Sequence, residues 1–322
     1  MRTSVLIPMF NAASSVSRAV QSVLAQTDVD FEVIVVDDGS ADSSREVVEG
    51  IRDARVRVIA HERNRGISAA RNTALAAAQG DFIAFLDADD AWEPGLLTRM
   101  HEAASEVDAV ICGRTVVLPD GTRRTAHSTR LGEMTGDEAA TAMLVGDVSP
   151  FPWDKMIRRA AFDGITYPVD IHRFEDHVVG VVALSRVARV RSVPDALVQY
   201  YVAAGSLTWG RVPEVAETER ALGFAESELG PWLGAEPSRR RAFMVCRTLF
   251  LMLTAQSAMR SRDTLAAREV MTRCRALISP TMIATTLARK PVLGAGALLL
   301  KAAPDIYRRL FTAYVKRQYA LG

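Results

Sequence analysis

Three carboxylates in four residues directly follow an apolar run. Phe82 to Leu86 are all apolar, and Asp87, Asp89 and Asp90 come next. Carboxylates this close repel one another, so their position after a buried strand indicates a cation or a cationic ligand. Mg²⁺ commonly binds through one or two carboxylates together with substrate phosphates. These residues therefore suit a divalent metal that also holds a diphosphate.

The same segment allows a structural interpretation. It could be an acidic turn in solvent, with Asp90 as the N-cap of a helix that begins near Trp92, Glu93 and Pro94. The choice between the two depends on the elements that position the acids.

Strands and helices alternate in the first hundred residues. Apolar or β-branched runs predict four strands, at residues 5–7, 31–36, 56–59 and 82–86. Amphipathic spacing between them predicts three helices, at residues 11–26, 43–52 and 67–78. Such alternation is typical of a parallel α/β sheet.

Ligands of such sheets bind outside the carboxyl ends of the strands. The segments expected at those ends are residues 8–11, 37–40, 64–66 and 87–90. They collect carboxylates, turn residues and the cation Arg65 at one edge, and Arg71 follows shortly after. This chemistry would match a diphosphate held by metal and arginine, beside a base and ribose held by carboxylates.

Four segments, in their order and spacing, resemble the inverting family 2 glycosyltransferases of GT-A fold. They are residues 5–11 (VLIPMFN), 35–40 (VVDDGS), 64–72 (NRGISAARN) and 85–90 (FLDADD). The resemblance is strong over residues 3–115 and weaker to about 210. It implies an α/β fold with a Rossmann-like mixed sheet flanked by helices, and sugar transfer from a nucleotide donor, expected to be a UDP-sugar.

The resemblance implies a pocket for the base and ribose. Pro8, Phe10 and Asn11 would line it, although the family more often has tyrosine where Phe10 stands. Asp38 would accept a hydrogen bond from the uracil or its ribose, and Asp87 would contact the ribose side. The structural alternatives are a core position for Phe10 and a turn-forming role for Asp38.

The diphosphate side follows from the same resemblance. Arg71 would approach the diphosphate, Asp89 would ligate Mg²⁺ or Mn²⁺, and Asp90 would lie near the donor sugar or the metal. Arg71 could instead be a cation on a helix surface.

An inverting transfer also needs a base for the acceptor hydroxyl, and compensation for the charge of the leaving diphosphate. The family's Glu-Asp pair matches Glu175 and Asp176. Asp176 is interpreted as the base, which a helix N-terminus would keep ionised, although it could also be an N-cap. Glu175 would orient or bind the acceptor, with Trp153 and Lys155 along the acceptor cleft.

Two further features concern cations and histidines near this site. The histidines His172 and His177 flank the acidic pair and are interpreted as surface or loop residues. The family usually has arginine where Val202 stands, so a cation near the diphosphate would come from elsewhere, such as Arg211.

The length of 322 residues allows a catalytic domain and an appendage. We expect a glycosyltransferase domain at residues 1–210, with a nucleotide-binding half to about 115 and an acceptor half at 116–210. Residues 211–322 are expected to be helical. A helix at 241–255 is interpreted as buried and too short to span a bilayer, because no apolar stretch of about 18 residues is recognised.

The sequence after Thr286 is basic and amphipathic. Its cations are Arg289, Lys290, Lys301, Arg308, Arg309, Lys316 and Arg317, against the single acid Asp305. Such a tail can lie on an anionic membrane, or dock on the domain or on a partner subunit.

Composition excludes other classes. A formal net charge of +1 gives no reason to expect nucleic acid binding. Three cysteines, odd in number and widely spaced, indicate buried thiols and lack zinc-site spacing. With no signal peptide recognised, a cytoplasmic location is expected, with peripheral contact at the inner face of the membrane as an open alternative.

Alternatives to catalysis remain open. A non-catalytic nucleotide-sugar-binding relative would show the same motifs. A Mg²⁺-dependent receiver or phosphatase domain would place its acids after the first strand, whereas here Asp37 and Asp38 follow the second. The acceptor could be a glycan, a lipid-linked saccharide or a polymer.

Overall fold

A computed structural model describes residues 1–202, 212–261 and 264–319. The chain divides into two compact units, Met1–Ala203 and Ala204–Gly322. The predicted domain boundary at 210, and the division into halves at 115, stay predictions.

The first unit contains a mixed sheet of ten strands. They are β1 (Arg2–Met9), β2 (Asp30–Asp37), β3 (Val56–Ala60), β4 (Phe82–Phe85), β5 (Ala91–Trp92), β6 (Ala109–Val117), β7 (Arg123–Ala126), β8 (Gly132–Thr135), β9 (Lys155–Arg158) and β10 (Arg189–Tyr201). The order is β3-β2-β1-β4-β9-β6-β10-β5, with β7 beside β6 and β8 beside β10. The first four strands run parallel, whereas β9 is antiparallel to both its neighbours.

Six α-helices accompany this sheet. They are α1 (Val16–Leu24), α2 (Ser44–Glu49), α3 (Ile67–Ala77), α4 (Leu96–Ala103), α5 (Gly136–Leu144) and α6 (Glu175–Ser185). The helix α1 forms because Val16, Ala19, Val20 and Val23 recur on one face, and all four are buried in the sheet core. The four predicted strands and three predicted helices are confirmed, as is the mixed α/β architecture.

The registers of the parallel strands bring their carboxyl ends together. Met9 pairs with Asp37, and Asp37 pairs with Ala60. Leu6 pairs with Phe85, so the acidic segment begins beside the end of β1. The predicted gathering of polar segments at one edge therefore follows from the pairing.

The interpretation of Asp90 as a helix cap is wrong. Residues 91 and 92 form β5, in which Trp92 pairs with Val198. The next helix begins only at Leu96, after Gly95 in the left-handed region at φ 78°. The strand pairing holds the backbone extended where the sequence suggested a helix start.

The second unit is helical where it is described. Its helices are α7 (Val215–Ala235), α8 (Pro237–Met259), α9 (Thr264–Leu277), α10 (Pro280–Arg289), α11 (Pro291–Ala302) and α12 (Pro304–Tyr319). They pack around a separate core that includes Leu251, Ala255, Ile278 and Leu300. The predicted helical C-terminal region is confirmed.

The helix α8 is longer than its apolar segment predicted. It has 23 residues, and a window of 18 has a mean hydropathy of 1.4, so its length and composition would suffice to cross a membrane. A buried core helix passes the same test, and 61% of that window is buried inside the protein. The prediction that this helix is too short to span a bilayer is wrong.

Candidate functional site

Asp87, Asp89 and Asp90, here called the acid triad, lie at the carboxyl edge of the sheet directly after β4. One carboxylate oxygen of each lies within 4.8 Å of the others. Among the described residues, Asp87 Oδ1 and Asp90 Oδ2 are buried without a hydrogen-bond partner. The other oxygen of Asp90 accepts the backbone N–H of Tyr201 at 2.9 Å. The triad therefore offers unsatisfied oxygen donors at short range.

Burial raises the pKa values of all three triad residues, and repulsion by neighbouring carboxylates adds to the shifts of Asp87 and Asp90. Burial is the largest cause for each residue, raising the pKa of Asp87 to about 6 and that of Asp90 to about 9. The charge of Asp89 adds to both shifts, and the pKa of Asp89 is itself raised. A divalent cation would offset this repulsion, and oxygen donors are what Mg²⁺ and Mn²⁺ prefer. The residues present thus fit the predicted metal.

Arg71 joins the triad to the second acidic cluster. Its side chain is 1% exposed, and one guanidinium nitrogen lies 3.8 Å from Asp87 Oδ1. Another lies 3.1 Å from Glu175 Oε1 and forms a close ion pair with Asp176. The ring of Tyr167 lies 5.4 Å from the guanidinium carbon. Arg71 is therefore buried beneath the carboxylates, and the alternative of a surface cation is wrong.

Asp176 lies in the first turn of α6, whose N-cap is Phe174 in the left-handed region at φ 70°. The N-cap alternative for Asp176 is therefore wrong. Burial raises the pKa of Asp176 well above its usual range, Arg71 opposes the shift, and Glu175 and Asp87 add to it. The net shift is opposite to the one expected from the helix N-terminus. A carboxylate with a raised pKa is a stronger base, and this side chain is 23% exposed.

Asp38 holds a neighbouring loop. Its carboxylate accepts the backbone N–H groups of Gly66 at 2.8 Å and Arg65 at 3.0 Å. Oδ1 also lies 2.7 Å from Nδ1 of His61, whose Nε2 lies 2.9 Å from Thr73 Oγ1. Sequence reasoning missed His61, although it follows β3 directly and so belongs to the same edge.

The loops after β1 and β2 are tied together. Asn11, at φ 49°, accepts the backbone N–H of Ala41 at 2.8 Å and donates its own backbone N–H to Ser40 Oγ at 3.0 Å. Gly39 has φ 73°, and a Cβ there would lie 2.5 Å from the backbone of Arg63. Phe10 is 46% exposed, so the core alternative for it is wrong. Pro8 lies within β1 and is buried.

Trp153 and Lys155 are buried beside Asp154. The ring of Trp153 stacks against both Phe151 at 4.7 Å and Tyr200 at 5.4 Å, measured between centroids, and those two rings lie 6.1 Å from each other. The ammonium of Lys155 donates to the carbonyl oxygen of Phe151 at 2.7 Å, to Ser149 O at 2.7 Å and to Asp154 Oδ1 at 2.6 Å. These contacts position the loop before β9, and Lys155 as a whole is 3% exposed.

The interpretation of the two histidines is half wrong. His172 is an exposed loop residue, as predicted. His177 is 6% exposed and lies within α6, where burial lowers its pKa to about 4. The buried position of His177 follows from where α6 begins, and the sequence did not reveal that Phe174 is its N-cap.

Arg18 is a cation at the triad that sequence reasoning missed. It lies on α1, and its guanidinium carbon is 4.0 Å from the centre of the Tyr201 ring. Nη2 donates a hydrogen bond to the carbonyl oxygen of Asp89. Val202, the residue after Tyr201, donates its backbone N–H to Val117 O at 3.0 Å. Arg211, proposed from the sequence as a cation source, lies outside the described residues.

Comparison with known proteins establishes the family. Residues 4–167 match the model of glycosyl transferase family 2. The ExoO protein of Rhizobium meliloti, named for succinoglycan biosynthesis, is 32% identical over 272 residues, 80% of this chain and 77% of that protein. The chain belongs to glycosyl transferase family 2, which confirms the predicted family and enzyme class.

Two further similarities define the extent of the likeness. An uncharacterized glycosyltransferase of Nostoc sp. is 38% identical over 157 residues, which make up 47% of this chain. The match spans about half the length of that relative, 48%. The crystal structure of S. aureus TarS 1–349 in complex with UDP-GlcNAc superposes with a TM-score of 0.74 at 20% identity, covering 100% of this chain and 93% of that one. The second similarity confirms the GT-A-type fold.

Proposed function

We propose that the protein transfers a sugar from a UDP-sugar to an acceptor hydroxyl with inversion, in a metal-dependent reaction of cell-surface polysaccharide or glycoconjugate synthesis. The observation that carries the proposal is the bridge of Arg71 between the acid triad and Asp176. This bridge brings the acid triad and the carboxylate of Asp176 into one cluster, which supports a metal-binding role for the first and a base role for the second. The name of ExoO supports polysaccharide synthesis, and the UDP-GlcNAc in TarS supports the donor class.

The reaction assigns one role to each side of this cluster. Asp176 accepts the proton of the acceptor hydroxyl while that oxygen attacks the anomeric carbon. The bond from that carbon to the diphosphate breaks, and its electron pair stays on the diphosphate oxygen. Arg71 holds Asp87 and Asp176 in place, and Glu175 shares this arginine while it orients the acceptor side. Mg²⁺ or Mn²⁺, held by Asp89 with Asp87 and Asp90, would neutralise charge on the diphosphate.

The donor side uses the loops after β1, β2 and β3. Phe10, exposed at the end of β1, and Pro8 would border the base. Asp38 and Asn11 fix the neighbouring loops, and we propose that they also contact the base or ribose. Lys155 acts by positioning the loop of Trp153 along the acceptor side, because its three donors are all bound by the protein.

A UDP-sugar should raise the melting temperature only with Mn²⁺ or Mg²⁺ present. At a ligand concentration of one hundred times Kd, we expect a rise of roughly 5 °C. The rise should grow from pH 5 to pH 8, because protons compete with the metal for Asp87 and Asp90. In chelator, stability should fall as pH rises from about 4, since the folded protein binds these protons more tightly than the unfolded chain. Thermal unfolding across a nucleotide-sugar panel measures both effects.

Asp89→Asn should abolish the metal-dependent rise, whereas Asp163→Asn, which changes an exposed aspartate in a turn, should retain it. A wild-type protein that no UDP-sugar stabilises in the presence of Mn²⁺ would contradict the proposal. Stabilisation without turnover for any acceptor would favour the non-catalytic relative.

We propose that the C-terminal helices contact an anionic membrane surface. Ile306, Leu310 and Tyr314 recur every four residues on α12 and are 54%, 59% and 60% exposed. Tyr307 and Phe311 of the same helix pack on the core, so the exposed stripe is a second apolar face. Arg308 and Arg309 supply exposed positive charge next to it. The cytoplasmic location stays a prediction.

The protein should bind anionic phosphatidylglycerol vesicles and release them in 0.5 M salt. Replacing both Ile306 and Leu310 by glutamine should weaken binding about tenfold, because two apolar side chains leave the interface. Leu277→Gln, an exposed leucine on α9, serves as the control. Vesicle co-sedimentation measures the partition coefficient, and equal binding to neutral vesicles would contradict the electrostatic part.

A further inference from the structure

The leaving diphosphate needs a cation at the rim of the acid triad. Arg71 and Lys155 do not meet this need. The guanidinium of Arg71 is buried against Asp87, Glu175 and Asp176, and the donors of Lys155 are bound by protein oxygens. A ligand at the triad can therefore reach neither cation without breaking contacts inside the protein.

Arg18 lies at that rim and is exposed. Its Nη2 donates to the carbonyl oxygen of Asp89, the residue whose carboxylate is the exposed member of the triad. This is the one hydrogen bond that the guanidinium makes to the residues that the structure describes. A guanidinium carries five N–H groups, so several of them remain to bind a ligand. A planar guanidinium with several donors binds phosphate oxygens in a bidentate manner.

The position of this guanidinium is fixed in advance. The ring of Tyr201 lies 4.0 Å beneath it, a distance typical of cation–π contact. That ring is held at both ends, because the backbone N–H of Tyr201 donates to Asp90 and its phenol donates to Gln199 Oε1 at 2.7 Å. Arg18 itself is carried on a helix whose buried face includes Val16 and Ala19. Its charge also lowers the pKa values of Asp89 and Asp90 against the larger effect of burial.

We propose that Arg18 binds the diphosphate of the nucleotide donor and neutralises the charge that develops on it as the bond to the sugar breaks. The inference rests on the proposed function and assigns a residue to its leaving-group side. The electron pair of the broken bond stays on the diphosphate, and the guanidinium donates hydrogen bonds to it without transferring a proton. Arg18 thus acts opposite to Asp176, which takes the proton of the acceptor.

The test compares UDP with uridine, since only UDP carries the diphosphate. With Mn²⁺ present, Arg18→Gln should weaken UDP binding about 10- to 100-fold, in line with the loss of a charge-assisted contact, and leave uridine binding unchanged. Arg18→Lys should recover part of the affinity. Arg45→Gln is the matched control, because it changes an exposed arginine on α2 that pairs with Glu49. Isothermal titration calorimetry measures each affinity.

Tyr201 provides a second line of evidence. Tyr201→Phe keeps the aromatic face but loses the phenol contact to Gln199, so it should keep most of the UDP affinity, whereas Tyr201→Leu should lose UDP affinity selectively. Mn²⁺ binding in the absence of nucleotide should change less than twofold in Arg18→Gln.

Three results would overturn the role of Arg18. These are UDP affinity that survives in Arg18→Gln, equal losses for UDP and uridine, and a loss of Mn²⁺ affinity as large as that of UDP. The last would mean that Arg18 acts through the triad. If the wild-type protein binds no UDP, the proposed function fails together with this inference.

Discussion

Replacing Asp176 by asparagine should lower kcat by about 10²- to 10⁴-fold, the usual contribution of a general base. UDP-sugar affinity should stay within about twofold, because the acid triad is unchanged. Thermal stability should not fall, since the amide occupies the same space and carries no charge into a site where burial disfavours the carboxylate. Steady-state kinetics with the acceptor, together with donor binding by calorimetry, separates the two effects.

The pH dependence of the wild-type enzyme gives an independent check on Asp176. A base must be deprotonated, so kcat/KM should rise with pH through a pKa above the usual aspartate range. That rise should vanish in the residual activity of Asp176→Asn. The control is Glu175→Gln, which should lower kcat less and keep the rise. A variant Asp176→Asn with full turnover would show that another group accepts the proton.

The sheet edge could be predicted because its determinants are local. A run of β-branched or apolar residues predicts each strand, and Asp38 and the acid triad follow such runs directly. Parallel pairing then brings the strand ends together without further information. The same locality explains why α3 was predicted within one residue of its observed bounds, whereas α1, predicted from residue 11, begins only at Val16.

Long-range contacts explain what the sequence could not reveal. The extended backbone at Trp92 depends on β10, about a hundred residues later, and this pairing excludes a helix cap at Asp90. The burial of Arg71 depends on Glu175 and Asp176, 104 and 105 positions away. Arg18 and His61 lie in none of the recognised sequence motifs. Their partners at the site are distant in sequence and come close only when the chain folds.

The helix α8 shows a different limit. The predicted helix began at Arg241 and left out Arg239 and Arg240. In the structure they belong to the helix, and Arg239 donates to the carbonyl oxygen of Trp232 and pairs with Glu236 at 3.4 Å. Long cationic side chains can reach partners beyond the first turn, so a run of charged residues does not mark where the helix starts.

Replacing Arg71 by methionine should destabilise the fold by about 3–5 kcal/mol at neutral pH, because three carboxylates lose their buried counter-ion. Methionine keeps much of the side-chain volume, so the loss reports charge more than packing. The pKa values of Asp87 and Asp176 in the folded variant should rise further, because Arg71 opposes both shifts in the wild type, so the folded state holds protons that the unfolded chain releases. The deficit should therefore shrink as the pH is lowered toward about 4 and grow as it rises. Urea unfolding at several pH values measures this dependence.

A double-mutant cycle separates charge from packing at Arg71. If the loss comes from uncompensated carboxylates, Asp176→Asn should restore part of the stability in the Arg71→Met background, although it has little effect alone. Arg55→Met is the control, because Arg55 pairs with Asp53 in a more exposed setting and should cost less than 1 kcal/mol. An Arg71→Met deficit that is independent of pH, and that Asp176→Asn does not reduce, would mean that Arg71 stabilises the fold by packing alone. The bridge between the acid triad and Asp176 would then be structural, and the two acidic clusters would act independently.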